Sequence, residues 1–398
     1  MSRPLLYTEH LTTGYEGRRG RVVSKNIEVR LGEGELVSVV GPNGTGKSTM
    51  LKTLGGIRHP LGGSVYLDGH AVQHLDARSL AREVAVVLAG RVEAGHLSVG
   101  KLVALGRYPY TGKFGRLRAR DEEAIDWALR SVGGEELADR YVDELSDGEY
   151  QRIMIARALA QQPRIVLLDE PAAFLDLMKR VELMHLLKKI SRESSASFIV
   201  ASHDLEMVMA VSDRVWLLDR SGSLHDGAPE DHVLEGNLER VFHSPHVVFD
   251  REIGTFRHVS DTNRPKVLLY ADAGTEVPGE KRGRRDEQLR WTRRALERMG
   301  FRVVSRHEVD NSLETDVGSE TDAGSGAEAG SRVGVCERNG RLCWRLEVYS
   351  RKNNDPAAEA DRTSPERRCS GEDRSSGEYR SSGEYRSIAG LARAIRGR

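Results

Sequence analysis

Gly41-Pro42-Asn43-Gly44-Thr45-Gly46-Lys47-Ser48-Thr49 decides the reading of this chain. The run fits the phosphate-binding loop G-x-x-x-x-G-K-[ST]. Before it, Glu35-Leu36-Val37-Ser38-Val39-Val40 reads as a buried strand, and after it, Thr49-Met50-Leu51-Lys52-Thr53-Leu54 reads as a helix. The motif needs that strand–loop–helix setting. Gly41, Gly44 and Gly46 let the backbone turn its N–H groups around a phosphate chain, and the helix N-terminus adds its partial positive charge. Lys47 is placed to reach the outer phosphates, and Ser48 to put a hydroxyl on Mg²⁺. A glycine-rich turn with no ligand would also match the pattern, but not the strand and helix on either side.

The 398 residues leave room for two domains, or for one large domain with an appendage. Lys+Arg and Asp+Glu both number 60, so net charge gives no argument for nucleic acid or a membrane surface as partner. Cys336, Cys343 and Cys369 match no zinc or redox spacing, and three thiols cannot all pair within one chain, which fits a reducing compartment. No apolar run reaches the length of a membrane span, and the first ten residues are too polar for a signal peptide. Any membrane role must therefore come through another polypeptide.

Residues 1–250 alternate apolar strands with amphipathic helices, the pattern of an α/β layer architecture. Ile165-Val166-Leu167-Leu168, Ser197-Phe198-Ile199-Val200-Ala201 and Val215-Trp216-Leu217-Leu218 read as buried strands. Leu177, Val181, Met184, Leu187 and Ile190 fall at helical spacing and read as core. Residues 251–310 form a linker and the start of a small C-terminal α/β extension. Its expected elements are a strand at 266–270, a helix over 286–299 and a strand at 301–304. Residues 311–330, rich in Gly, Ser, Asp and Glu, read as a disordered linker. Residues 331–398 hold two short strands, at 333–336 and 343–349, then low complexity in which Arg374–Tyr379 repeats at once as 380–385. That repeat reads as a slipped duplication in a loose tail, and a short helix is expected near 388–395.

Two further motifs give the loop a chemistry. Arg164-Ile165-Val166-Leu167-Leu168-Asp169-Glu170-Pro171 is an apolar strand ending in adjacent carboxylates. Neighbouring strand residues point to opposite faces, but a turning strand end can present both. Asp169 is then placed to hold Mg²⁺, and Glu170 to address an attacking water. The plainer reading is an acidic strand end that feeds a solvated turn. Leu145-Ser146-Asp147-Gly148-Glu149-Tyr150-Gln151-Arg152 opens an apolar helix, a second anion-binding end.

This set resembles the ATP-binding cassette (ABC) ATPases, over about residues 5–245, with six motifs in one order. The implied fold is a P-loop NTPase of the ABC type: a RecA-like core, an antiparallel β subdomain and a helical subdomain. The run at 145–149 resembles the signature loop, usually Leu-Ser-Gly-Gly-Gln; Asp147 and Glu149 depart from it, while Ser146 and Gly148, which contact the γ-phosphate in the family, are kept. The resemblance implies that Tyr15 stacks on adenine. It makes Phe174-Leu175-Asp176 the loop by which two sites communicate, with Asp176 at its end, and His203 of Ser202-His203-Asp204 the switch histidine. Without the match, Tyr15 would be surface packing and His203 structural. The family also carries a Gln after the strand that follows the phosphate loop; Ala89 stands at that position here, and an Ala cannot ligate a metal. ATP is the implied substrate and Mg²⁺ the implied cofactor. One phosphate loop and one signature loop per chain imply a head-to-tail homodimer that buries two nucleotides.

Two function classes follow: the motor of a membrane transporter, or a soluble cassette ATPase. The interval between phosphate loop and signature, about 100 residues, has no sustained heptads of the kind DNA-repair cassettes insert. There is also no second cassette of the kind translation factors carry. Transport is therefore expected, with an iron–sulfur assembly ATPase as the alternative. Import is expected over export because exporters commonly fuse motor and membrane segments. Val103-Ala104-Leu105-Gly106-Arg107-Tyr108-Pro109-Tyr110 resembles the importers of iron–siderophore complexes, haem and cobalamin, where this region receives the permease; a helix end stopped by Pro109 is the plainer reading. Importers of other small solutes come next. The expected partners are an integral membrane permease and, indirectly, an extracytoplasmic substrate-binding protein, and the expected location is the cytoplasmic face of the inner or plasma membrane. No activity is expected of the C-terminal extension.

Overall fold

The computed structural model describes residues 4–17, 20–91, 95–112, 115–194, 196–251, 254–258, 266–271, 279–298, 302–304, 330–338, 341–351 and 378–385. The chain divides into two compact units, Met1–Arg257 and His258–Arg398.

In the first unit β1 (Leu6–Tyr15), β2 (Arg21–Ile27) and β3 (Arg30–Leu31) precede β4 (Leu36–Val40), which leads through the phosphate loop into α1 (Lys47–Leu54). Then come β5 (Gly62–Leu67), β6 (His70–Ala71), α2 (Ala77–Glu83), β7 (Val84–Val87), α3 (Val99–Ala104), α4 (Ala119–Ser131) and α5 (Asp147–Ala160). They are followed by β8 (Ile165–Asp169), α6 (Leu177–Ser194), β9 (Ser197–Ala201), α7 (Leu205–Val211), β10 (Arg214–Leu218) and β11 (Leu224–Gly227). The short α8 (Pro229–Leu234) and α9 (Asn237–Val241) and the paired β12 (Val247–Asp250) and β13 (Thr255–His258) finish the unit.

Three substructures result. A six-stranded sheet runs β11-β10-β4-β9-β8-β7, parallel throughout except for the β10–β11 edge. Every residue of β4, β8 and β9 is buried, as strands covered on both faces require. Leu51 and Leu54 of α1 pack with Val37 and Val39 of β4 on one side, and α6 supplies Leu183, Leu187 and Ile190 to the cluster around Val166, Phe198 and Val200. A second sheet, β2-β1-β5-β6 with β3 also on β1, is antiparallel. The third substructure is helical, with Val99 and Val103 of α3, Ala128 and Leu129 of α4 and Ile153 of α5 in one core. These are the RecA-like core, antiparallel β subdomain and helical subdomain that the resemblance implied.

The parallel sheet positions the site. In open α/β sheets ligands bind beyond the carboxyl ends of the strands. Register aligns Val39 with Ala201 and Asp169 with Ala201, so β4, β8 and β9 end nearly flush. The loops leaving them carry Gly41–Thr49, Asp169-Glu170 and Ser202-His203.

The second unit holds β14 (Lys266–Ala271), α10 (Gly279–Arg298), β15 (Arg302–Val304), β16 (Gly330–Arg338), β17 (Arg341–Arg351) and β18 (Glu378–Tyr385) in a sheet ordered β15-β14-β16-β17-β18. The strands β14, β15 and β16 are parallel, and β17 and β18 turn antiparallel. Two expectations are corrected. The strands expected at 333–336 and 343–349 are longer, because they pair over nine residue positions from Gly330↔Tyr349 to Arg338↔Arg341. The repeat is not all loose tail: Glu378–Tyr385 forms β18 on the edge of β17 left free by β16, where eight ladder pairs engage the backbone groups that face β17. The linker expected at 311–330, save Gly330 at the start of β16, and the helix expected near 388–395 lie outside the described residues.

Candidate nucleotide site

The phosphate loop needs its glycines for two different reasons. A Cβ on Gly41 would lie 2.1 Å from the Leu218 carbonyl oxygen, so the loop can leave β4 only if position 41 is bare. Gly46 caps α1 at a φ of +100°, where a side chain is strained, and a Cβ there would also meet Val23 Cγ1 at 2.0 Å. Thr45 steadies the turn by donating its hydroxyl to the Pro42 carbonyl at 2.9 Å. Thr49 accepts or donates at 3.3 Å to the Tyr15 hydroxyl, and Asn43 and Gly44 lie at the exposed crown.

Lys47 is buried, its Nζ donating to the Gly41 carbonyl at 2.9 Å and the Pro42 carbonyl at 3.4 Å. Burial pushes the ammonium below the usual lysine range, and the Glu170 and Asp169 carboxylates offset only part of that. The cation is thus held over the loop by carbonyl oxygens that a phosphate oxygen would outbid. Ser48, the next residue, donates its hydroxyl to Asp169 Oδ1 at 2.7 Å. A hydroxyl and a buried carboxylate that converge in this way are the oxygen donors a hard divalent cation takes, with phosphate and water completing the shell. Among the described residues there is no group of three or more His, Cys, Asp or Glu that could hold a metal.

Glu170 has a φ of +53°, rare for a residue with a side chain. That conformation reverses the chain straight after β8. It explains how two adjacent carboxylates reach one site although an extended strand would split them. Its backbone N–H donates to the Ala201 carbonyl at 3.0 Å, which ties the strained turn to β9. Its Oε2 lies 2.6 Å from His203 Nδ1. The carboxylate accepts, so the imidazole proton sits on Nδ1 and Nε2 is left for another partner. Ser48–Asp169 and Glu170–His203 are thus two hydrogen-bonded pairs whose carboxylates are neighbours in the chain, with Lys47 next to Ser48.

The remaining residues lie around it. Tyr15 is about half exposed, and the Arg58 guanidinium covers one ring face at 4.6 Å from the centroid, a cation–π contact the sequence reading missed. Ser146 is the N-cap of α5. Its hydroxyl faces Glu149 Oε2 at 2.7 Å, while Glu149 accepts from the Ser146 backbone N–H at 2.9 Å. That capping box explains why a carboxylate can replace the usual Gln at position 149. The Ser146 hydroxyl and backbone N–H, aided by Arg140, hold the Glu149 carboxyl below its usual range. Among the described residues no hydrogen bond or ion pair joins Ser146 or Gly148 to the phosphate loop. Asp176 accepts from the Lys179 backbone N–H at 2.9 Å and opens α6, with Phe174, Leu177 and Met178 exposed around it. Ala89 is exposed just past β7 and offers no ligand atom.

The Leu105–Pro109 segment is anchored from below. Arg107 and Asp121, 2% and 1% exposed, meet at 2.9 Å. Arg107 also donates to the Ala160 carbonyl at 2.7 Å and lies 4.0 Å from the Tyr110 ring centroid. Burial alone would raise the Asp121 carboxyl; the Arg118 backbone N–H and the Arg107 guanidinium outweigh it and bring it below its usual range. Tyr108, 78% exposed, and Leu105 are left on the surface. A simple helix stop would not need a buried arginine.

The family model described as ABC transporter matches residues 24–173. An uncharacterized ABC transporter ATP-binding protein of Methanocaldococcus jannaschii is 37% identical over 272 residues, covering 68% of this chain and 93% of that protein. The ferric enterobactin transport ATP-binding protein FepC of Escherichia coli is 37% identical over 59% of this chain and 85% of its own length. The iron(3+)-hydroxamate import ATP-binding protein FhuC of Bacillus subtilis is 34% identical over 67% and 94%. Among solved structures, cbiO1 of Clostridium perfringens, part of the ABC transporter complex cbiONQ, superposes with a TM-score of 0.53 at 28% identity, covering 60% of this chain and 94% of that one. On the strength of these relatives, this chain belongs to the ATP-binding subunits of ABC transporters.

Proposed function

We propose that this chain is the ATP-hydrolysing motor of a membrane importer for iron–siderophore complexes. The observation that carries the reading is the cluster at the flush strand ends: Lys47 on the loop carbonyls, Ser48 paired with Asp169, and Glu170 paired with His203. The cargo rests on relatives named for ferric enterobactin and iron(3+)-hydroxamate transport. Haem and cobalamin gain no specific support from these relatives. They do not favour a soluble ATPase, iron–sulfur assembly included.

ABC ATP-binding subunits hydrolyse ATP, and the chain's residues divide that work. Gly41, Pro42, Asn43, Gly44, Thr45, Gly46 and Thr49 wrap the phosphates, and Tyr15 takes the adenine. Lys47 leaves its carbonyl partners for the outer phosphate oxygens. Ser48 and Asp169 would hold Mg²⁺, which supplies charge neutralisation to the phosphates when bound. Glu170 orients the attacking water, and its hydrogen bond to His203 fixes where the lone pair points. A second copy contributes Ser146 and Gly148 through the positive end of α5, and Asp176 links the two sites. The half-site is incomplete alone, so the working form is a homodimer that closes on ATP and reopens after hydrolysis. Leu105 and Tyr108 face the permease, which places the dimer on the cytoplasmic side of the membrane and an extracytoplasmic binding protein opposite. Among the described residues no helix is long and apolar enough to cross a membrane, so in this reading the permease supplies the membrane path.

The test is reconstitution of the subunit with its permease and binding protein in vesicles. Ferric siderophore should stimulate ATP hydrolysis and drive uptake of labelled iron. Hydrolysis that is indifferent to the permease would sink the importer reading; stimulation by a different solute alone would sink the cargo.

A further inference from the structure

Arg91 stands two residues beyond Ala89, on the segment leaving β7. Its Nη2 donates to two carbonyl oxygens, Val142 at 3.1 Å and Leu145 at 2.9 Å. Its Nη1 faces Asp147 Oδ1 at 3.3 Å, and its guanidinium lies 5.0 Å from the Tyr150 ring centroid. These four residues bracket the signature turn. The two carbonyls belong to the tight turn just before α5, where that of Val142 also accepts the Leu145 backbone N–H at 3.3 Å. The turn's other clamps come from its own subdomain: Arg140 reaches Glu149 and the Glu144 carbonyl, and Ser146 and Glu149 cap each other. Arg91 alone among these reaches it from the end of the parallel sheet.

We propose that Arg91 is a positioning residue that ties the strand-end half of the nucleotide site to the signature turn, and so sets how Ser146 and Gly148 are presented to the second copy's nucleotide. A planar guanidinium can fork across two carbonyls and stack on a ring at once, which a lysine cannot. Asp147 stands where the usual pattern has glycine and gives the clamp a counter-charge. That ion pair is 39% and 62% exposed, so it is weak and screened by salt. The carbonyl bonds set position, and the Asp147 pair adds salt sensitivity.

The inference rests on the ATPase reading, and the experiment separates the two. Full-length wild type, Arg91→Ala, Arg91→Lys and Asp147→Asn are compared for ATP affinity, kcat and ATP-driven dimerisation, each with a thermal unfolding curve. Arg91→Ala is expected to lower kcat and dimerisation about 10-fold while ATP affinity stays within about twofold, since the phosphate loop is untouched. Arg91→Lys should not restore kcat. Asp147→Asn should flatten the salt dependence of kcat in wild type and do nothing in the Arg91→Ala background. Should Arg91→Ala fail to fold, Arg91→Lys and Asp147→Asn carry the same comparison. Unchanged kcat and dimerisation, full rescue by Lys, or a loss of ATP affinity equal to the loss of kcat would each overturn the clamp. A wild-type chain that does not hydrolyse ATP would instead overturn the ATPase reading.

Discussion

The phosphate half of the nucleotide site hangs from the ends of buried parallel strands, whereas the signature half is the first turn of one helix. In the first half, β4, β8 and β9 are fully buried and end in register, so Lys47, Ser48, Asp169 and Glu170 are delivered by the sheet itself. In the second, Ser146 is exposed, and its geometry comes from a capping box and arginine clamps. The sheet half is preorganised for charge stabilisation. The helical half is held by exposed polar contacts, which suits a part that must dock and release in every cycle.

The largest effects should come from the sheet half. Lys47→Ala removes the buried cation aimed at the phosphates and should cut ATP hydrolysis by about 100-fold or more, read by phosphate release at saturating Mg-ATP; normal turnover would break the assignment. Glu170→Gln should abolish turnover to a similar degree yet leave ATP bound, so the chain should run as a dimer in gel filtration with Mg-ATP. A monomer there would mean that Glu170 does not act after binding.

Next in size is the buried Arg107–Asp121 pair, which anchors the helical subdomain to the C-terminal end of α5. Arg107→Ala leaves Asp121 a buried carboxylate without its ion-pair partner, held only by the Arg118 backbone N–H, and should cost about 3–5 kcal/mol in denaturant unfolding. A cost under 1 kcal/mol would show that the subdomain core alone suffices.

Protonation gives a graded test of Lys47. Burial favours its neutral form, and phosphates favour its charged form, so ATP must raise its pKa. Affinity should therefore fall as pH rises through the lowered free-state value, by at most about tenfold per pH unit, with proton uptake on binding in titration calorimetry. For folding the sign is reversed: the cost of burying the charge is present below that pKa and relieved above it. A flat affinity profile would detach Lys47 from the phosphates.

The smallest effect should come from the signature half. Glu149→Ala breaks the capping box and should cost about 1 kcal/mol in unfolding, while Glu149→Gln, which keeps an acceptor for the Ser146 N–H, should cost less. Equal costs would mean that charge, through Arg140, matters more than the cap.

What was legible and what was not follow a physical line. The phosphate loop, Asp169-Glu170 and the signature turn could be read because each is local: a few consecutive residues carry both the backbone conformation and the functional groups. The α/β layering of the first unit followed from the strand and helix patterns, and its three substructures from the resemblance. The Tyr15–Arg58, Arg107–Asp121 and Arg91–Tyr150 contacts span 43, 14 and 59 positions, and no periodicity marks such pairs. The edge strand β18 was missed because Ser, Gly, Glu and Arg have weak strand preference; an open edge on β17, not propensity, makes Glu378–Tyr385 extended.

The sequence by itself determined that phosphates bind, which strand ends in carboxylates, and that Ala89 cannot ligate a metal. Only the tertiary structure decided that Glu170 turns through a positive φ onto His203, that Lys47 waits on carbonyl oxygens, and that Arg91 reaches from the sheet to the signature turn. The Glu170–His203 and Arg91 contacts join segments far apart in the chain and exist only once the parallel sheet has brought its strand ends together, and the Lys47 contacts, to carbonyls five and six positions back, exist only once the loop has folded round the ammonium.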